Sequence, residues 1–296
     1  MGWDKITEKQ NQHSMDIDGM STLEILHIIN LEDSKISMAV EKSLNNIKDF
    51  IDSLVIQFKK GGRLFYLGSG TSGRLGVLDA AECPPTFGAD PSMVQGIIAG
   101  GYDALINSIE GAEDLFELGS EVISDNNINE NDVVLGITAS STTPFVLGAL
   151  EKAKSLNALT GLLTCNEFEG GAFIDHLITI VVGPEVIAGS TRMKAGTATK
   201  MVLNMISTVS MVKLNKTYGN LMVDLKASNE KLKNRATKII MHLTNLEYED
   251  AIKLLKSADD EVKTAVLMEK MNIDSSESRE ILENNQGSLR DSLNSV

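Results

Sequence analysis

The chain has 296 residues, enough for one large core with a small appendage, and its 42% hydrophobic and 23% charged content is ordinary for a globular protein. A net charge of −14 excludes a general nucleic-acid surface, which needs a basic stripe. Cys83 and Cys165 form no CxxC pair and have no His partner at metal spacing, so neither a zinc site nor a disulfide framework is expected. With no leader pattern and no apolar run of membrane-spanning length, no membrane partner and a cytoplasmic location are expected.

Residues 1 to about 33 are polar and mixed, with a first helix predicted over 21–30. Ser21 and Glu24 have capping-box spacing ahead of Ile25, Ile28 and Ile29. Residues 34–60 read as one long amphipathic helix, with Ile36, Val40, Leu44, Ile47, Ile51, Leu54 and Val55 at helical intervals. Five short apolar runs follow, at 64–67, 94–98, 133–137, 159–163 and 177–182. Helical patterns near 74–82, 103–122 and 144–156 intervene, and a long one covers about 192–214. That alternation predicts an α/β fold, a parallel sheet with helices on both faces. From about residue 235 the strands stop. Thr244 and Glu247 have capping-box spacing before Ile252, Leu254 and Leu255, and helical stretches near 260–271 and 276–284 complete a predicted three-helix module. The expected division is 1–235 for the sheet domain with its N-terminal helices and 236–296 for the small helical domain.

The most telling stretch runs from Gly61 to Gly88. A strand-like run (Leu64 to Leu67) leads into a loop of glycine and hydroxyl residues, Gly68, Ser69, Gly70, Thr71, Ser72 and Gly73. A helical segment follows and is expected to stop near Glu82, before Pro84 and Pro85. Strand, hydroxyl-rich glycine turn and helix start together make an anion site. The loop lacks the spacings of a nucleoside-triphosphate loop and of a dinucleotide fold, so a small phosphorylated metabolite is the better ligand.

A second hydroxyl loop follows the 133–137 run: Thr138, Ala139, Ser140, Ser141, Thr142, Thr143 and Pro144. One such loop alone reads equally well as helix capping. Two at strand ends, where α/β folds bind ligands, point to a sugar-phosphate site. Arg192 and Lys194 sit near a helix start, where cations oppose the dipole, which suggests that they face an anion or else a solvated turn. The EGAED cluster (Glu110 to Asp114) and Glu82 read by themselves as surface carboxylates.

Together these segments resemble the N-acetylmuramic acid 6-phosphate etherase family, from STLEILHIIN through LGSGTSGRLGVLDAAECPPTFG, IAGG and EGAED to GSTRMKAGTATKMVLNMIST and GNLMVDLKASNEKL. The resemblance implies a three-layer sugar-isomerase-type (SIS) α/β domain, a small C-terminal helical domain and a homodimer. It implies cleavage of the D-lactyl ether of N-acetylmuramic acid 6-phosphate, with no metal or organic cofactor. Glu82 would be the proton donor and Glu113 the base. Ser69, Thr71, Ser72, Thr138, Ser140, Thr143, Arg192 and Lys194 would bind the phosphosugar. A helix end at Glu82 would suit a carboxyl that holds its proton, and a helix start at Glu113 would suit a carboxylate.

Two departures stand out. Ser141 and Thr142 replace the family's usual Gly-Arg pair, and the segment NEFEGG around Asn166, which reads as peripheral, lacks the family's Asn-Pro. Two other readings share the phosphate loops. A related regulatory protein senses sugar phosphates without turnover, but it holds two such domains in a longer chain. An aldose–ketose phosphosugar isomerase would also abstract the C2 proton, but RMKAGT and the ECPP context favour the etherase.

Overall fold

The computed structural model describes residues 5–225 and 229–295. The Lys-Ala-Ser stretch at 226–228 of the last family-like segment lies outside the described residues. The chain divides into two compact units, one of Met1–Ala81 and Ser92–Ser207, the other of Glu82–Pro91 and Thr208–Val296.

The first unit starts with short 3₁₀ turns and helix α1 (Thr22–Asp33), whose Ser21–Glu24 capping box forms as predicted. The expected helix over 34–60 is instead two, α2 (Ile36–Glu41) and α3 (Leu44–Lys59). The break falls at Lys42–Ser43, where the Ser43 hydroxyl donates to the carbonyl of Thr179 rather than facing solvent. The chain then alternates: β1 (Leu64–Gly68), α4 (Gly70–Phe87), β2 (Val94–Ile98), α5 (Asp103–Ile106), α6 (Phe116–Asp125), β3 (Val133–Thr138), α7 (Pro144–Ser155), β4 (Leu159–Thr164), β5 (His176–Thr179) and α8 (Lys194–Lys213). All five strands are parallel, in the order β2-β1-β3-β4-β5.

Burial explains the unbroken apolar strands. Every residue of β1 and of β3 is buried, as expected for a parallel sheet covered on both faces. On one face Phe65, Leu67 and Val134 pack with Ile123 of α6 and Phe145, Val146 and Leu150 of α7. On the other, Tyr66 donates to the Asp79 carboxylate of α4, which also accepts from Asn204 and Ser207 of α8. Burial pushes the Asp79 carboxyl up, and its three donors oppose that. Because α4 carries the first hydroxyl loop at its start, this network fixes that helix against the sheet.

The segment predicted as one helix over 103–122 is broken into α5, a 3₁₀ turn at Ala112–Asp114 and α6, with Gly111 at φ +75° between them. Helix α4 also differs from expectation: it continues past Glu82 to Phe87 with Pro84 and Pro85 inside it. It stops at Gly88, whose φ of +59° suits a helix C-terminus and whose N–H donates to the carbonyl of Pro84.

The second unit has its own core, in which Val223, Leu232, Ile240, Leu255, Val266 and Leu289 are buried together. Its helices are α9 (Glu230–Thr244), α10 (Tyr248–Ser257), α11 (Val262–Met271), α12 (Ser275–Asn284) and α13 (Leu289–Asn294), five where three were predicted. The predicted Thr244–Glu247 capping box does not form. Thr244 ends α9, its hydroxyl donating to the carbonyl of Ile240, and Asn245 takes the left-handed C-cap. No helix among the described residues is long and apolar enough to cross a membrane.

Candidate active site

The two hydroxyl loops meet at the carboxyl ends of β1 and β3 and line one cavity of about 320 Å³. From the first loop come Ser69, Thr71 and Ser72. From the second come Thr138, Ser140 and Thr143. Glycine allows the first turn: Gly70 has φ +49°, and a Cβ on Gly73 would lie 2.6 Å from the carbonyl oxygen of Gly68. Helix α4 begins at Gly70, so its first-turn N–H groups lack intrahelical partners at this wall. The Ser69 hydroxyl is buried with no hydrogen-bond partner among the described residues. In the second loop the Thr138 hydroxyl lies 2.7 Å from that of Thr143 and 3.2 Å from that of Ser140. Hydroxyls can donate or accept, so this cluster can turn its protons towards a phosphate.

Glu113 lines the same cavity, on the 3₁₀ turn after Gly111. It also lines a second cavity of about 240 Å³, which shares Ser69 and Gly70 with the first. The loop leading to it is tied to α4 by Arg74, whose guanidinium donates to the carbonyls of Ala104, Leu105 and Asn107. The same helix therefore carries the first hydroxyl loop and anchors the approach to Glu113.

Three predicted residues do not line the cavity. Glu82 is exposed on α4, nearly three helical turns beyond Ser72 in the chain. Helix α4 ends five residues beyond it and Glu113 starts no α-helix, so helix ends do not divide the two roles. Arg192 is exposed outside the cavity. Lys194 is buried, its ammonium 2.5 Å from the Glu32 carboxylate, so the anion that it faces belongs to the protein. The start of α8 is likewise taken. The Glu185 carboxylate accepts from the N–H groups of Lys194 and Ala195, both at 2.9 Å, and burial pushes the Glu185 carboxyl up despite those two donors. With its first donors satisfied, α8 contributes shape more than charge through Ala195, Gly196 and Thr199.

The departures from the family pattern also find their places. Ser141 has φ +66°, the conformation that glycine adopts freely. Its buried hydroxyl donates to the carbonyl of Glu167 and accepts from the Lys5 ammonium, which holds the loop in that shape. Asn166, far from peripheral, is buried: its side chain accepts from the Ile6 N–H and donates to the carbonyl of Ala139 and the hydroxyl of Thr7. It joins the second hydroxyl loop to the N-terminal segment, which brings Glu8 to the cavity. No local pattern signals Glu8, because long-range contacts alone place it.

A larger cavity of about 610 Å³ lies wholly in the helical unit. Its Lys263 is already bound to Asp224 and to the carbonyl of Gly287, and no hydroxyl loop lines it. Among the described residues no group of three or more His, Cys, Asp or Glu could hold a metal ion.

Parallel sheet, strand-end hydroxyl loops and flanking helices define a sugar-isomerase-type (SIS) α/β domain. Residues 46–154 match the model of the glucokinase regulatory protein N-terminal SIS domain. Among solved structures, a phosphoheptose isomerase from Francisella tularensis aligns at 15% identity and TM-score 0.49, over 65% of this chain and 100% of that one. The phosphoheptose isomerase of Neisseria gonorrhoeae aligns at 14% identity and TM-score 0.47, over 64% of this chain and 98% of that one. Much nearer in sequence is N-acetylmuramic acid 6-phosphate etherase 1 of Bacillus licheniformis, 50% identical over 97% of this chain and 95% of its own length. The etherase of Clostridioides difficile is 49% identical over 98% of this chain and 96% of its own. The chain belongs to the N-acetylmuramic acid 6-phosphate etherase family.

Proposed function

We propose that this chain cleaves the D-lactyl ether of N-acetylmuramic acid 6-phosphate, giving N-acetylglucosamine 6-phosphate and D-lactate in the recycling of cell-wall amino sugars in the cytoplasm. The observation that carries this reading is Glu113 in one cavity with both hydroxyl loops, in a chain half identical to named etherases over nearly its whole length. Ser69, Thr71 and Ser72 with Thr138, Ser140 and Thr143 hold the phosphate and the near end of the sugar. Arg192 and Lys194 have no contact with the cavity that would support a direct binding role. Lys194 instead serves by fixing the start of α8.

The chemistry needs a base and an acid. Ring opening makes C1 an aldehyde, which acidifies the C2 proton. Glu113 removes that proton, the C3–O bond to lactate breaks, and the departing lactyl oxygen takes a proton from an acid. Water then adds at C3 of the unsaturated aldehyde, and a proton returns to C2. We assign the acid to Glu82. Glu82 is exposed, and we propose that the chain works as a homodimer.

Two measurements test these roles. In Glu82→Gln, exchange of the C2 proton with solvent should persist while lactate release collapses; loss of both together would remove the acid assignment. Thr143→Val keeps the side chain's shape and deletes one hydroxyl. A hydrogen bond to a charged group is worth about 1.5–3 kcal/mol, so KM should rise roughly 10- to 100-fold with kcat little changed.

A further inference from the structure

The N-terminal segment is stitched across the cavity's edge. The Lys5 ammonium donates to the Ser141 hydroxyl at 2.9 Å, the Ile6 N–H to Asn166 at 2.7 Å, and the Gly189 N–H to the carbonyl of Thr7 at 3.0 Å. Thr7 is fully buried, with its hydroxyl on the Asn166 amide. These bonds present the next residue, Glu8, to the cavity. Its carboxylate lies against Gly189, another wall residue: a Cβ there would sit 2.9 Å from Glu8 Oε2. Among the described residues no hydrogen bond or ion pair engages that carboxylate. Four anchored groups thus hold an unengaged carboxylate at a site otherwise lined by hydroxyls, Glu113, Ile137 and small residues.

We propose that Glu8 is a substrate-binding residue that accepts hydrogen bonds from the hydroxyl or acetamido N–H donors of the amino sugar. A carboxylate is an acceptor only, and it repels phosphate, so it marks the sugar end of the cavity and not the phosphate end. Deprotonated oxygens cannot serve the ligand's carbonyl or phosphate oxygens, whereas sugar hydroxyls and an amide N–H are donors that match them. Glu8 also sets the ligand's direction: phosphate towards the two hydroxyl loops, donor groups towards the N-terminal segment. The identity of the sugar rests on the etherase reading; the existence of a donor-selective carboxylate in this cavity does not.

The test is calorimetric titration of the wild-type chain and Glu8→Gln with N-acetylglucosamine 6-phosphate and, separately, with inorganic phosphate. The inference expects Glu8→Gln to weaken the sugar phosphate about 10- to 100-fold while inorganic phosphate binds at least as tightly, since a negative charge has left the cavity. Glu8→Ala should behave alike, and both should melt within about 1 °C of wild type, because the carboxylate holds nothing in the fold. Unchanged affinity for the sugar phosphate, or parallel weakening of both ligands, would overturn it. Lactate release by the wild-type chain, measured separately, reports on the etherase reading alone.

Discussion

Glu113→Gln should lower lactate release by roughly 10²–10⁴, the span expected when one positioned proton transfer is lost. KM should stay within a few-fold of wild type, because the hydroxyls of Ser69, Ser72, Thr138 and Thr143, the proposed phosphate ligands, remain in place on the cavity wall. The sharper readout is isotopic. If Glu113 is the base, exchange of the C2 proton with solvent must fall with lactate release, whereas Glu82→Gln should separate the two. Glu113 and Glu82 thus have opposite signatures in one experiment. Retained exchange in Glu113→Gln would assign the base elsewhere, and Glu8 is the other carboxylate that lines this cavity.

Lys194→Met should cost the most stability. Lys194 and Glu32 are both almost fully buried, with the ammonium 2.5 Å from one carboxylate oxygen. Removing one partner of a buried pair costs about 3–5 kcal/mol, because the remaining charge is stranded. Lys35 and His13 still touch the Glu32 carboxylate, so the lower end of that range applies. At a few degrees per kcal/mol, Tm should fall by roughly 6–12 °C. The pH dependence has a defined sign. Burial raises the Glu32 carboxyl, but the side chains of Lys194, Lys35 and His13 outweigh it and hold the group at about 2, below its ordinary 4.5. A depressed carboxyl stabilises fully above about pH 4.5, and that contribution is lost as pH falls towards 2. In Lys194→Met the carboxyl is held down less, so the acid-side loss should be smaller and should end at a higher pH. A thermal melt series between pH 3 and 7 checks both statements; a variant with wild-type Tm throughout would make the pair energetically neutral.

The sheet was legible because each strand is a short apolar run between turn residues, and burial on both faces removes the polar alternation that would otherwise blur it. The two hydroxyl loops were legible for a related reason: strand ends in α/β folds lead to ligands, and Gly70 and Gly73 mark where the backbone must turn and approach closely. Helix boundaries were less so. Pro84 and Pro85 argue for a stop, yet α4 runs on to Phe87, and the helical periodicity over 34–60 passes through a break that only the Ser43–Thr179 bond reveals. Lys194 misled because a cation near a helix start invites an external anion, whereas Glu32, distant in sequence, pairs with its ammonium and Glu185 accepts from the N–H groups at the start of α8. Glu8 and Asn166 were invisible for the same reason. Their roles depend on pairings some 160 residues apart, Ile6 with Asn166 above all, which no local pattern encodes.

The most direct measurement is proton NMR of the purified chain with N-acetylmuramic acid 6-phosphate in D₂O, with no added metal or cofactor. Stoichiometric D-lactate and N-acetylglucosamine 6-phosphate carrying deuterium at C2 are the expected products. Saturable binding without lactate would contradict the etherase reading and make this cavity a sensor of sugar phosphates, with the altered Ser141–Thr142 loop the first place to look.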